Sequence, residues 1–226
     1  MGGRREAQGD WTADRQRMVE QQIKARGVRD PRLLAAITDV PREAFVSDVQ
    51  ASFAYDDSPL PIEAGQTISQ PYVVALMIEA LNLRSTDRAL DVGTGSGYAA
   101  AVMARLCQRV YGVERHAGLV ESAGAALGRL GYDNIELRHG DGTLGWPDKA
   151  PFDAVLVSAG GPSVPAALRE QLAVGGRMII PVGGHGRVQH LVRITRETAD
   201  TWSEDDLGEV AFVPLVGEQG WSDRRP

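Results

Sequence analysis

Cysteine and long apolar runs are scarce in this chain, and each shortage narrows what it can be. Only one cysteine, Cys107, occurs among 226 residues, so an intrachain disulfide is excluded. It falls on the apolar face of a helical stretch, where a buried structural thiol is favoured over a nucleophile. No apolar run reaches the roughly 20 residues that a membrane helix needs, and Met1 to Asp14 is polar, without the apolar centre of a secretory leader. A cytoplasmic location without membrane partners is expected. His116, His139, His185 and His190 are the four histidines, and their spacing matches no metal-ligand pattern. No metal is expected, and each reads as a surface or loop residue. Positive charge is also short: 24 Lys and Arg against 30 Asp and Glu leave a net charge of −6, which argues against a protein that tracks phosphate backbones. No nucleic-acid partner is expected. Nothing demands an oligomer, so the expected state is a monomer.

What is present is ordinary globular material, 43% hydrophobic and 24% charged, long enough for one sizeable α/β core. Met18, Val19 and Ile23 at helical spacing predict an amphipathic helix over Trp11–Arg26, with Asp10 available as a cap. Pro31 and Pro41 stand at first helical positions and predict short helices over Pro31–Ile37 and Pro41–Phe45. Phe53–Gln70 lacks periodicity and reads as an ordered loop. From a helix opened by Pro71 and running to about Leu83, strand and helix alternate. The strands are expected at Ala89–Val92, Val110–Val113, Ile135–Arg138, Ala154–Val157 and Arg177–Pro181, closed by Gln189–Thr195 and Glu209–Val213. This alternation implies a doubly wound, mostly parallel sheet with helices on both faces. The expected organisation is a polar tail over 1–10, one domain over 11–221 and a tail over 222–226. Within the domain, 11–83 forms a helical segment with a long loop and 84–221 forms the sheet.

One stretch carries chemistry. Leu90-Asp91-Val92-Gly93-Thr94-Gly95-Ser96-Gly97 runs from an apolar strand through an acid into a glycine-rich turn, then into a helix over about Tyr98–Leu106. Alternating glycines let the backbone approach a ligand, and the helix start offers unpaired N–H groups. A tight structural turn gives the same pattern. The next strand ends in Glu114, placed where a carboxylate in such a sheet accepts ribose hydroxyls; taken alone, it also reads as a solvated loop acid. The glycine spacing is G-x-G-x-G, not the G-x-G-x-x-G of dinucleotide sites. A pyrophosphate here would face Asp91, whereas that carboxylate attracts a cofactor carrying a sulfonium and an amino group. S-adenosylmethionine therefore fits better than NAD. The expected cofactor set from this loop and strand is Asp91, Gly93, Gly95, Ser96, Gly97, Glu114 and Arg115. After the third strand, Asp141 could accept from an adenine amino group while Gly142 admits the ring; a plain Asp-Gly turn explains the pair equally well. The small residues Ser158-Ala159-Gly160-Gly161 after the fourth strand leave room for a methyl group and an incoming backbone, which makes Ala159 a substrate candidate. A bland turn into a helix is equally compatible.

Gly65-Gln66-Thr67-Ile68-Ser69-Gln70-Pro71, Leu90–Gly97, Val113-Glu114, His139–Gly142, Pro151–Ala154 and Phe212-Val213-Pro214-Leu215 together resemble the protein-L-isoaspartate O-methyltransferase family. Order and spacing agree from about Arg17 to Leu215. The G-Q-T-I-S-Q-P element discriminates, since many methyltransferases share the rest. The resemblance implies the methyltransferase fold, S-adenosylmethionine as cofactor, and isoaspartyl residues of damaged proteins and peptides as substrate. It points to Ser69 as the active-site serine. It also implies that Gln66, Thr67 and Ile68 line the cofactor, and that Val213, Pro214 and Leu215 clamp the peptide. An isoaspartyl α-carboxylate is already anionic at neutral pH, so attack on a sulfonium methyl needs alignment and dryness, not a general base. A helix-capping role for the Ser69 hydroxyl is the competing reading. A methyltransferase for a dedicated peptide and a non-catalytic cofactor-binding module are the alternative functions. The chain departs from the family at Ala159-Gly160-Gly161, where alanines are common, and the extra glycine is expected to loosen that loop.

Overall fold

A computed structural model describes residues 10–184 and 188–223; His185 and the outer parts of both tails lie outside the described residues. The first helix, α1 (Thr12–Met18), continues through a π turn, Val19–Ile23, and a 3-10 turn, Lys24–Arg26. Gly27, at φ 104°, ends it. Met18, Val19 and Ile23 are buried, as their spacing requires, and the Asp10 carboxylate accepts the Thr12 N–H at 3.0 Å. In α2 (Pro31–Asp39), proline occupies the first turn and Asp30 accepts the Arg32 N–H. The stretch expected as a helix at Pro41–Phe45 is a 3-10 turn, Arg42–Phe45. Phe53–Gln70 is ordered and contains a small antiparallel hairpin of β1 (Leu60–Pro61) and β2 (Thr67–Ile68). Strands of two residues are too short to show alternation, which is why sequence periodicity passes over them.

The main sheet follows: α3 (Pro71–Leu81), β3 (Arg88–Val92), α4 (Tyr98–Ala104), β4 (Arg109–Glu114), α5 (Ala117–Arg129), β5 (Ile135–His139), β6 (Phe152–Val157), α6 (Ala166–Glu170), β7 (Leu172–Gly183), β8 (Gln189–Arg196) and β9 (Trp202–Val210). Seven strands lie in the order β5-β4-β3-β6-β7-β8-β9. The first five are parallel, and β8 and β9 add antiparallel pairs. Alternate residues of one strand serve opposite faces: Ala154 and Leu156 of β6 join the core beneath α1–α4, while Val155 and Val157 join a second core with Leu90, Tyr111 and Phe152. Both faces are covered, so the central strands are mostly apolar, with little polar alternation. The chain leaves β3 for β4 and β5 on one side and returns to β6 on the other. The crevice beyond the carboxyl ends of β3 and β6 is therefore the switch point where such sheets bind ligands.

One strand lies earlier than its sequence suggests. Glu209–Val213 is expected to close the sheet, but β9 ends at Val210. Its exposed, charge-rich sequence, Trp202–Val210, hides the strand from an apolar-alternation reading. Beyond it, Ala211–Val213 peels away toward the crevice.

Candidate active site

The glycine turn takes the shape its spacing predicts. Gly93, Gly95 and Gly97 have φ of 78°, 55° and 92°, a region that side chains strongly disfavour. Across the crevice the Ser158 N–H donates to the Val92 carbonyl at 2.8 Å. Asp91, at the end of β3, is fully buried, and neither of its carboxylate oxygens has a hydrogen-bond partner. Burial pushes its carboxyl up to about 7; the nearby Thr94 hydroxyl opposes the rise and the neighbouring charge of Glu114 adds to it. Such an orphaned carboxylate is costly by itself, and a cationic ligand group would relieve it. This is the feature that tests the fit of S-adenosylmethionine, and the residues present pass it.

Glu114 is 6% exposed and does a structural task as well. One of its oxygens accepts the Gly95 N–H at 3.0 Å and the other the His116 N–H at 2.9 Å, so it ties β4 to the glycine turn while lone pairs remain on both. Asp141 accepts from the Thr143 N–H (2.8 Å), the Thr143 hydroxyl (2.6 Å) and the Glu218 N–H (2.7 Å). It forms the Asp-Gly turn and also staples the C-terminal segment. A Cβ on Gly142 would stand 2.6 Å from a Val92 methyl, so only glycine fits there.

Two cavities meet at this crevice. A narrow cleft is lined by Gln66, Thr67, Gly93, Glu114, Arg115, Gly142, Ala159 and Pro214 through Val216, among others. A wider cavity of about 340 Å³ is lined by Arg26, Ser69, Gln70, Tyr72 and the stretch Glu209–Phe212. Thr67, Ser158 and Val213 line both and form the wall between them. Ala159, Pro214 and Leu215, expected to touch substrate, stand on the cleft with the glycine turn; Val213 alone of the four also reaches the Ser69 cavity. Ile68 is buried in the core and lines neither. Ser96 faces a separate cavity with Ile62 and Arg129, and Asp141 lies at an adjoining pocket with Arg115 and His139.

Ser69 is half-buried. Gln70, not Ser69, is the N-cap residue of α3, and no side chain caps that helix, so the capping role is not realised. The Ser69 backbone is anchored from below: Arg42, fully buried, donates to the Ser69 carbonyl and to the Ala54 carbonyl, both at 2.8 Å. Its guanidinium lies over the Tyr98 ring, and burial pulls its pKa down to about 10.

The expectation that Gly160 and Gly161 loosen their loop is overturned. The Gly160 N–H donates to the Val213 carbonyl and its carbonyl accepts the Leu215 N–H, each at 2.8 Å; Gly161 is bonded to Pro181 and Gly183, each at 3.0 Å. Backbone pairing replaces the restraint that side chains would have given. Cys107 is buried, as expected, and burial pushes its thiol up to about 12. Among the described histidines, His139 and His190 are exposed. His116 is different: it lines the narrow cleft with its Nε2 buried and unpartnered. Its position two residues after Glu114 is the available signal. Ser158 stands out in the sequence only for its small size. Among the described residues no group of three potential metal ligands comes together, and no helix is long and apolar enough to cross a membrane.

Comparison with known proteins gives a consistent result. The family model described as protein-L-isoaspartate(D-aspartate) O-methyltransferase matches residues 13–220. A curated relative from Rhodopseudomonas palustris, protein-L-isoaspartate O-methyltransferase 1, is 54% identical over 96% of this chain and 88% of its own length. One from Methylorubrum extorquens is 56% identical over 92% of this chain and 91% of its own. Among solved structures, a putative protein-L-isoaspartate O-methyltransferase from Plasmodium falciparum in complex with S-adenosyl-L-homocysteine superposes with a TM-score of 0.77 at 29% identity, covering 89% of this chain and 98% of that one.

Proposed function

The chain belongs to the protein-L-isoaspartate(D-aspartate) O-methyltransferase family, and from that premise we propose how its residues divide the reaction. The activity is transfer of a methyl group from S-adenosylmethionine to the α-carboxylate of isoaspartyl residues in proteins and peptides. S-adenosylmethionine, when bound, supplies an electrophilic methyl on a sulfonium. Asp91 would balance the positive charge of that group. The Glu114 lone pairs would accept from the ribose hydroxyls, and Gly142 would let the adenine lie against the backbone. On the other side of the wall, Ser69 would donate its hydroxyl to the substrate carboxylate and fix its direction of approach. The carboxylate is anionic at neutral pH, so no general base is assigned. Thr67, Ser158 and Val213 would exclude water and hold the reacting atoms in line, where proximity supplies the rate. The methyl ester formed would close to a succinimide by attack of the adjacent amide nitrogen, which loses its proton as methanol leaves, without further help from the protein.

A single observation carries this reading: the orphaned Asp91 directly precedes Val92 and Gly93, which line the cleft, Ser69 lines the wider cavity, and three residues line both spaces. The division of the chain into a helical cap with substrate loop over 11–83 and a cofactor-binding sheet over 84–221 belongs to the same proposal. So does action as a cytoplasmic monomer without a nucleic-acid partner, supported by the net charge of −6. The test is to incubate the protein with methyl-labelled S-adenosylmethionine and a matched isoaspartyl and aspartyl peptide, then measure base-labile methyl ester. Ester on the isoaspartyl peptide alone is expected; equal labelling of both would refute the assignment.

A further inference from the structure

The segment Phe212–Leu215 places Val213 in the shared wall, yet it lies outside every helix and strand. Its cofactor side is held by the Gly160 backbone pairs and by Trp221, whose backbone N–H donates to the Leu215 carbonyl at 2.8 Å and whose ring N–H donates to the Gly160 carbonyl at 2.9 Å. On its substrate side, Phe212 packs against the main core, and one side chain supplies the hydrogen bonds to its backbone. Gln189, at the start of β8 and only 3% exposed, accepts the Phe212 N–H at 2.8 Å and donates to the Phe212 carbonyl at 3.2 Å. An amide that both donates and accepts in this way takes the place of a neighbouring strand. It reaches Phe212 through space that Gly160 leaves free: a Cβ on Gly160 would lie 2.2 Å from the Gln189 Nε2 and 2.6 Å from its Oε1. The Gly160 φ is not of the kind that requires glycine. What demands glycine here is the crossing amide.

We propose that Gln189 is a positioning residue for methyl transfer, fixing the substrate side of the wall through Phe212, and that Gly160 is its necessary partner. The proposal rests on the function given above. It accounts for the glycine at 160, which neither a turn nor a flexible loop explains.

Four variants test it: Gln189→Ala, Gln189→Met, which keeps the volume without the hydrogen bonds, Gly160→Ala, and the double variant Gly160→Ala/Gln189→Ala. Hydrogen exchange over 209–215 needs no substrate. It is expected to rise at least tenfold in both Gln189 variants, with β7 unchanged. KM for an isoaspartyl peptide is expected to rise about tenfold in both, while the dissociation constant of S-adenosylmethionine, measured by calorimetry, stays within threefold. Gly160→Ala should raise KM in the parent background and change it less than twofold once Gln189 is alanine, because the obstructed group is gone. Unchanged exchange, a Gln189→Met protein that behaves as the parent, cofactor affinity falling as far as KM rises, or an equal Gly160→Ala effect in both backgrounds would each overturn the proposal. A parent protein that esterifies neither peptide would refute the activity instead, and the exchange comparison would still decide whether the clasp exists.

Discussion

Replacing Asp91 with asparagine should make the ligand-free protein more stable at alkaline pH while weakening its hold on the cofactor. The carboxyl sits at about 7 in the folded protein, against an ordinary value of 3.8. Its folded-state pKa is raised, so the folded protein keeps this proton longer than the unfolded chain does. Stability is therefore lost as pH climbs from about 4 to about 7. That rise corresponds to about 4 kcal/mol above pH 7, of which about 3 kcal/mol develops between pH 5 and pH 8. For a chain of this size, each kcal/mol moves the melting temperature by about 2 to 4 °C. The Asp91→Asn variant has no such titration. Its melting temperature minus that of the parent should grow by about 6 to 12 °C from about pH 5 to pH 8, measured by differential scanning fluorimetry without ligand. Any fixed cost of the unpartnered amide in the variant cancels from this pH difference. Cofactor binding reverses the preference. Below about pH 7 the parent must release a proton to receive a cationic ligand, so S-adenosylmethionine affinity should weaken toward tenfold per pH unit. The variant should bind weakly at every pH. Parallel melting curves for the two proteins across this range would refute the assignment of a high carboxyl pKa to Asp91.

Other substitutions probe the remaining parts of the site. Ser69→Ala should lower kcat about tenfold to a hundredfold, the loss of a hydrogen bond to a charged acceptor worth about 1 to 3 kcal/mol, with cofactor affinity unchanged by calorimetry; an unaltered kcat would remove Ser69 from the reaction. Glu114→Gln takes the charge from two backbone hydrogen bonds and from the expected ribose contact. It should weaken S-adenosylmethionine binding at least tenfold, by about 1.5 to 3 kcal/mol, and affinity equal to the parent's would exclude that contact. Arg42→Met leaves the Ser69 and Ala54 carbonyls without their donor. With each unpaired carbonyl costing about 1 to 3 kcal/mol, urea unfolding should reveal a loss of about 2 to 5 kcal/mol and peptide KM should rise; an unshifted midpoint would show the anchor to be dispensable.

The order of elements is legible because the central strands are mostly apolar and α2 and α3 open on prolines, with Asp10 just ahead of α1. Asp91 and the three glycines can be read as a site because their spacing has a direct backbone meaning. Ser69 is reached by resemblance, since a half-buried serine two residues before a proline has no signature of its own. The wall is harder. Thr67, Ser158 and Val213 lie far apart in sequence and meet only through the sheet order, so no local pattern brings them together. Arg42 looks like one more surface arginine until burial is known. Gln189 and Gly160 are linked only by the crossing of a side chain over a backbone, and the extra glycine reads as slack because the amide that fills its place lies 29 positions away.

The stapled Asp141 has a meaning for the protein's own durability. Asp141-Gly142 is the one Asp-Gly or Asn-Gly step in the sequence, and such a step is the most exposed to the cyclisation that generates isoaspartate, because glycine offers no side chain to shield its nitrogen. Closure needs the Asp141 carboxyl to turn onto the Gly142 nitrogen. Both its oxygens are engaged by Thr143 and Glu218, and that turn would have to break them free. The contacts that join the C-terminal segment to the Asp141-Gly142 turn thus guard the enzyme against ageing by the damage it reverses in others.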